Sequence, residues 1–336
     1  MRNLNKLSRF FIVGPLIALV LAVILITFTT DRFMTAQNLM NVSLQVSAVA
    51  IAAIGGTMVI LTGGIDLSPG SSVALTTCVL AVLVKLMGLP LPLGILVVLV
   101  MGAAMGAVNG VLTAYGRIPT FIVTLATLSV YRGLAFLITE GTPIFNISPG
   151  LDRVFYDRLF GIPLPFYYVM VLYVMTYVFL RHTSLGRAIY AVGGNESAAR
   201  LSGIQVKRVR LAAFILAGFT ASISGVLLAA RLNSGSPNYG VGLELQAIAA
   251  AVIGGASLSG GIGNIVYTLF GALTVAVVQN GLNLNAVPAA WQNITLGLII
   301  VLAVSLDMWR ADLGRGLSRI FSFERSEEKQ DRTASD

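Results

Sequence analysis

LAAFILAGFTASISGVLLAA (residues 211–230) and LQAIAAAVIGGASLSGGIGNIVYTLFGALTVAVVQ (residues 245–279) contain no charged residue. From Leu211 to Asp307 the only charges are Arg231, Glu244 and Asp307. A segment of about 20 apolar residues crosses a hydrocarbon core as a helix, and these runs are too long and too uniform for a water-facing fold. The rest of the chain agrees. Of 336 residues 56% are hydrophobic and 11% charged, and the mean hydropathy is +0.87. Soluble domains carry about 25% charged residues, so too few polar groups remain to cover a surface in water. The reading is an all-α integral membrane protein.

Working outward, further apolar runs lie at about 10–29, 43–62, 71–88, 91–114, 119–138, 164–180, 264–281 and 292–309, which with 211–230 and 245–259 make ten helices. The run at 10–29 is longer than a signal-peptide core and no small-x-small cleavage site follows it, so it reads as a retained helix. The run at 245–259 is short and rich in small residues, which leaves a full span and a broken or re-entrant helix both open. Ten crossings put both termini on one side. With the N-terminus in the cytoplasm, sixteen of the 22 Lys and Arg residues fall on cytoplasmic segments, which is the asymmetry of the positive-inside rule. The polytopic domain then covers 1–309, with a cytoplasmic connector at 181–210 and a basic tail at 310–336 whose end has the composition of a disordered segment.

Small residues let helices approach closely in lipid. Gly102, Gly106 and Gly110 repeat at four-residue spacing on one face of the fourth run and read as packing positions. Gly254, Gly255, Gly260, Gly261 and Gly263 mark a second contact or a helix break. The chain lacks a G-x-x-x-x-G-K-[ST] phosphate loop, a nucleophile elbow and any His or Cys cluster; Cys78 and His182 stand alone. Neither a metal nor a cofactor is called for, and nothing points to nucleic acid. Intramembrane ionisable groups are scarce, with Arg132 and Glu244 the main ones and Asp66 at a span end. An ion-coupled pump keeps several such groups, so the energy for transport is expected from another subunit.

The connector reads RHTSLGRAIYAVGGNESAARLSGIQVKRVR (181–210). Asn195 can cap a short helix, Glu196 suits its first turn, Ala198-Ala199-Arg200-Leu201 propagates it and Gly203 stops it. Leu201 and Ile204 would give that helix an apolar patch. This segment, from Gly194 on, is similar to the E-A-A-x-x-x-G coupling segment of ABC importer permeases, with one extra residue between Glu196 and the pair Ala198-Ala199. Thr183 to Asn195 (TSLGRAIYAVGGN) resembles the branch of that family that imports ribose, xylose, galactose and related sugars. Three further stretches fit the same branch: Gly63-Gly64-Ile65-Asp66-Leu67-Ser68-Pro69-Gly70-Ser71, Arg117 to Leu125, and Glu244 to Ala250 running into Gly254-Gly255.

The resemblance implies a bacterial inner-membrane permease subunit, without catalysis of its own, that moves a monosaccharide. It implies three partners: cytoplasmic ABC ATPase subunits bound through 194–203, a periplasmic sugar-binding protein, and a second permease copy or homologue. A branched-chain amino acid or nucleoside permease of the same superfamily is the alternative, and an ion-coupled secondary transporter a more distant one.

The remaining motifs have plain physical readings. In 63–71 the glycines end a span and Pro69 delays the next helix. Asp66 or Ser68 then caps that helix, or the turn through Gly70 acts as a gate or an ATPase-facing element; Asp66 is expected at the cytoplasmic interface, where charge costs little. A similar pattern at 254–261 hints at internal duplication, direct or inverted. Glu244 and Gln246, with Asn109 and Asn280, are the polar residues expected along a path or as interhelical hydrogen bonds. The loop 140–165, with Asp152, Arg153, Asp157 and Arg158, is the longest external segment and a candidate contact for the binding protein.

Overall fold

The computed structural model describes residues 2–305 and 308, with side chains from residue 14 onward. The basic tail at 310–336 lies outside the described residues. Helices dominate: α1 (Arg2–Thr29), α2 (Ala36–Leu61), α3 (Pro69–Ala81, extended by a π-helical turn Val82–Leu86), α4 (Leu91–Ala114), α5 (Thr120–Thr139), α6 (Arg153–Tyr156), α7 (Leu164–His182), α8 (Ser184–Gly194), α9 (Glu196–Leu201), α10 (Val206–Leu232), α11 (Leu243–Ile253), α12 (Ile265–Leu284) and α13 (Ala289–Ser305). Seven of these are long and apolar enough to cross a membrane: α2, α3 with its π turn, α4, α5, α7, α10 and α12. Shorter apolar helices lie at Gly14–Thr29, Leu243–Ile253 and Ala289–Ser305. The protein is a multi-pass, all-α membrane protein.

Alpha-helical bundling follows from the small residues. On α4, a Cβ at Gly106 would sit 2.1 Å from the Phe214 carbonyl oxygen, one at Gly102 would meet Ser222 at 2.3 Å, and one at Gly110 would meet Leu211 at 2.8 Å. All three glycines therefore face α10, whose Gly218 in turn approaches the Gly102 carbonyl. Gly55 of α2 does the same against Ala217 and Thr220. The backbones of α2, α4 and α10 thus touch along a central spine, and van der Waals contact replaces the hydrophobic drive that lipid cannot supply.

Two stretches of the bundle are broken by a non-helical link. α11 has eleven residues and reaches about 17 Å, roughly half of a 30 Å hydrocarbon layer. The apolar run at 245–259 is therefore a broken helix: Gly254 and Gly255 (φ +83°) end it, and 254–264 is non-helical. A non-helical link, 233–242, precedes it. α3 likewise follows a non-helical link, 62–68. The two links enter from opposite ends of the bundle, because Leu61 lies beside Gly193 of α8 while the α10 terminus at Leu232 is a whole helix away from α9. Each unit is a long helix, a non-helical link that carries Ser68 before Pro69 or Ser236 before Pro237, and a helix that starts inside the bundle (α2–α3 and α10–α11).

The loop 140–165 is folded onto the bundle. Ile147, Leu151 and Phe155 are buried, Ile147 N–H donates to the Asn233 carbonyl, and Tyr156 Oη donates to the Arg231 carbonyl (3.0 Å). Short antiparallel pairs join Ile144–Phe145 (β1) to Ser234–Gly235 (β4) and Arg158–Leu159 (β2) to Ile162–Pro163 (β3).

Candidate functional site

The exposed connector forms two helices. The Thr183 hydroxyl accepts from Gly186 N–H (3.0 Å) and caps α8; Asn195 Oδ1 accepts from Ala198 N–H (2.9 Å) and caps α9. Gly203 takes φ +82°, and Ile204 N–H reaches back to the Ala199 carbonyl, which closes α9 in the left-handed manner glycine favours. Leu201 is 90% exposed; Ile204 is half-buried and Ala199 buried. Glu196 has two partners, Arg200 Nη2 at 2.8 Å within α9 and Arg210 Nη2 at 2.7 Å on α10. The carboxylate therefore ties the short helix to the long one that runs through the bundle. Loss of the Asn195 cap is expected to weaken α9 by about 1 kcal/mol. Faster amide exchange at Ala198 to Leu201 in Asn195→Ala, with exchange in α10 unchanged, is the result to look for.

Gly193 is where this connector meets both broken units. A Cβ there would lie 1.9 Å from the Leu61 carbonyl oxygen and 2.5 Å from Gly261 N. Gly261 N–H donates to that same carbonyl (3.0 Å). Gly260 (φ +87°) packs on Gly63 and Gly193, and Gly261 (φ +73°) packs on Gly194. Tyr190, whose phenol is pushed up by burial and so stays a donor, gives its proton to the Gly263 carbonyl (3.2 Å). Five glycines thus bring the end of α2, the end of α8 and the loop after α11 into backbone contact, with no side chain between them to absorb a shift.

The link 62–68 is held by side chains from two helices. Asp66 Oδ1 accepts from Ser68 N–H (2.9 Å) and from Ser68 Oγ (2.7 Å); Asn109 Nδ2 donates to Ser68 Oγ (2.9 Å). Ile65 N–H donates to Thr120 Oγ1 (3.1 Å), and Thr124 Oγ1 donates to the Ile65 carbonyl (3.2 Å). Asp66 is only 5% exposed, so the low cost expected of a solvated charge does not apply to it: the Ser68 donors support its carboxylate. Pro69 opens α3, with Ser68 at the cap position but spending its hydroxyl on Asp66. Asn109 is 1% exposed and its Oδ1 has no partner among the described residues.

α3 and α11 begin against each other. A Cβ at Gly70 would sit 2.0 Å from Glu244 Oε2 and 2.3 Å from the Gly240 carbonyl, and one at Gly240 (φ +69°) would meet the Gly70 carbonyl at 2.4 Å. Two helix N-termini, each with positive dipole and free N–H groups, therefore converge inside the bundle on the Glu244 carboxylate. Glu244 and Gln246 are half-buried, and Glu244 Oε2 is a buried atom without a hydrogen bond among the described residues. Asn280 lies elsewhere, in a reciprocal amide pair with Asn38 (2.9 and 3.0 Å) that clamps α12 to α2.

Sequence marks Gly63, Gly194, Gly260 and Gly261 separately, as a turn, part of the connector and a contact or break, but neither their meeting at Gly193 nor the link 233–242. A signal existed for the second, since Ser236-Pro237 repeats Ser68-Pro69 ahead of a Gly-x-Gly that breaks any helix.

Beside α9 a cleft of about 1160 Å³ opens between the α4–α5 turn and the start of α10, and Tyr115, Arg117, Arg200, Lys207 and Arg208 line it. Lys207 Nζ stands 5.4 Å from the centre of the Tyr115 ring. No group of His, Cys, Asp or Glu able to hold a metal occurs among the described residues.

A family model described as branched-chain amino acid transport system / permease component matches residues 38–304. The chain is 43% identical to the ribose import permease protein RbsC of Escherichia coli K12 over 296 residues, covering 87% of this chain and 92% of that one. It is 38% identical to the ribose import permease protein of Haemophilus influenzae (90% and 95% covered) and 34% identical to the xylose transport system permease protein XylH of Escherichia coli K12 (91% and 93% covered). No solved structure matches.

Proposed function

Because the chain belongs to the family of branched-chain amino acid transport system permease components, we propose that it is the membrane permease of a monosaccharide ABC importer, with a ribose-like pentose as cargo. Relatives named for ribose and xylose import, alike over nearly the whole length, support a sugar over the amino acid in the family's description. The observation that carries the mechanism is the backbone junction at Gly193. It joins the exposed α8–α9 connector to the ends of both broken units, so a push on α9 reaches the point inside the bundle where α3 and α11 meet.

The reading has ten passages, the tenth formed by the link 233–242 with α11, and both chain ends lie on the α8–α9 side in the cytoplasm of a bacterial inner membrane. In it α9, with exposed Leu201 at its tip and the basic cleft beside it, enters a groove of an ATPase subunit that hydrolyses ATP. A sugar-binding protein docks at the opposite end, where the folded loop 140–165 lies, and a second permease completes the path. Closure of the ATPase and orientation of the path are then two readings of one two-state element. Glu244, Gln246 and Asn109 supply acceptors and donors near the helix junction, suited to an uncharged polyol.

The test is copurification of the tagged chain with its ATPase from membranes, followed by a panel of pentoses, hexoses, nucleosides and branched-chain amino acids in cells lacking other carriers. The expected result is ATPase recovery that Glu196→Lys abolishes, and uptake confined to a sugar. Recovery without the ATPase, or uptake of leucine alone, would refute it.

A further inference from the structure

Arg132 is the only charged residue of α5, twelve positions into a helix of twenty, and it is half-buried. A charge at that depth is costly unless it finds partners inside the protein. Its Nη1 donates to two backbone carbonyls, Pro237 (2.5 Å) and Tyr239 (2.6 Å). Both belong to the non-helical link 233–242, in which the Gly240 and Gly242 carbonyls accept from α11 N–H groups while Arg132 supplies donors to Pro237 and Tyr239, as non-helical backbone inside a membrane protein requires. The same link is also held by Thr77 of α3, whose Oγ1 accepts from Ser236 N–H (3.3 Å), and is braced within itself by Tyr239 Oη against Ser234 Oγ (2.6 Å). Five residues beyond Tyr239 stands Glu244, with its unpartnered Oε2, within electrostatic range of Arg132.

We infer that Arg132 is the positioning residue of a gate: it latches the link 233–242 closed at the end of the bundle opposite α8–α9, and the gate opens when the guanidinium leaves the Pro237 and Tyr239 carbonyls for the Glu244 carboxylate. The inference rests on the permease reading above. The structure offers both partners, the two carbonyls engaged and Glu244 Oε2 without a hydrogen bond among the described residues, which is what a two-state latch requires. Asn238, exposed between the two latched carbonyls, and Val241, exposed between them and Glu244, are the residues that the movement would displace.

The experiment uses the full transporter, permease with ATPase and binding protein, in liposomes loaded with radiolabelled ribose. Without ATP, wild type is expected to hold the sugar, Arg132→Gln to release it at least about tenfold faster, and Arg132→Lys, which keeps charge and a donor, to fall between. Basal ATP hydrolysis should persist in all three. Release as slow as wild type from an assembled Arg132→Gln complex overturns the latch. A second measurement avoids any folding defect. In the otherwise wild-type complex, Asn238→Cys is labelled with a membrane-impermeant maleimide in the ATP-trapped and nucleotide-free states. A several-fold difference between states is expected; equal labelling overturns the gate. If labelling changes with ATP while ribose is never carried, the gate stands and the sugar assignment falls.

Discussion

Gly193→Val is expected to leave the protein in the membrane with its ATPase bound but to cut substrate-stimulated ATP hydrolysis and uptake by more than about tenfold. The cause is local and backbone-made. Any Cβ at position 193 meets the Leu61 carbonyl oxygen at 1.9 Å and Gly261 N at 2.5 Å, and neither atom belongs to a side chain that could turn aside. The two have to part, which breaks the Gly261 N–H to Leu61 hydrogen bond and separates α8 from both broken units. Overpacking of this kind costs about 1–3 kcal/mol, enough to shift a finely balanced two-state element by one to two orders of magnitude. Gly194→Ala is the control, because a Cβ there meets nothing within 4 Å. The pair is read by ATP hydrolysis with and without the loaded binding protein; equal stimulation in wild type and Gly193→Val would remove the junction from the mechanism.

Gly106→Leu should act on the fold instead. Its Cβ would lie 2.1 Å from the Phe214 carbonyl and 3.0 Å from Ile215 Cα, in the most intimate backbone contact of α4 with α10. Gly218 presses back on Gly102 four residues away, so α10 cannot slide to make room. The expected loss is about 3 kcal/mol or more, at the upper end of overpacking effects. It would be seen as a lower thermal midpoint and aggregated material in fluorescence-detected size exclusion. A folded, monodisperse Gly106→Leu protein would mean that the α4–α10 contact is looser than these distances imply.

Sequence reasoning reached the class and most of the helices because hydropathy is a property of composition. Runs such as 91–114 and 211–230 announce themselves, and Asn195 and Gly203 bracket α9 by side-chain and backbone chemistry that is local. What stayed hidden depends on residues far apart. Asp66 reads as an interfacial charge because its surroundings, Ser68 and the link folded inward against Asn109 and Thr120, are set by three segments at once. The run at 245–259 shows by its shortness and its glycines that a broken helix is open, but not that the polar link 233–242 precedes it. Arg132 stands out in α5 as a charge in a span, yet its role needs the Pro237 and Tyr239 carbonyls, more than a hundred positions later. The glycine junction is legible only as an excess of glycine until Leu61, Gly193 and Gly261 are seen to meet.

In the proposed mechanism this chain moves a sugar on energy delivered through α9 by another subunit. Its most direct test is uptake of labelled ribose by proteoliposomes containing the chain, its ATPase and its binding protein, under ATP or under an imposed ion gradient. Uptake that requires ATP and all three components, and that Glu196→Lys and Gly203→Asp abolish in assembled complexes, is the predicted result. Uptake by the chain alone down an ion gradient would contradict it.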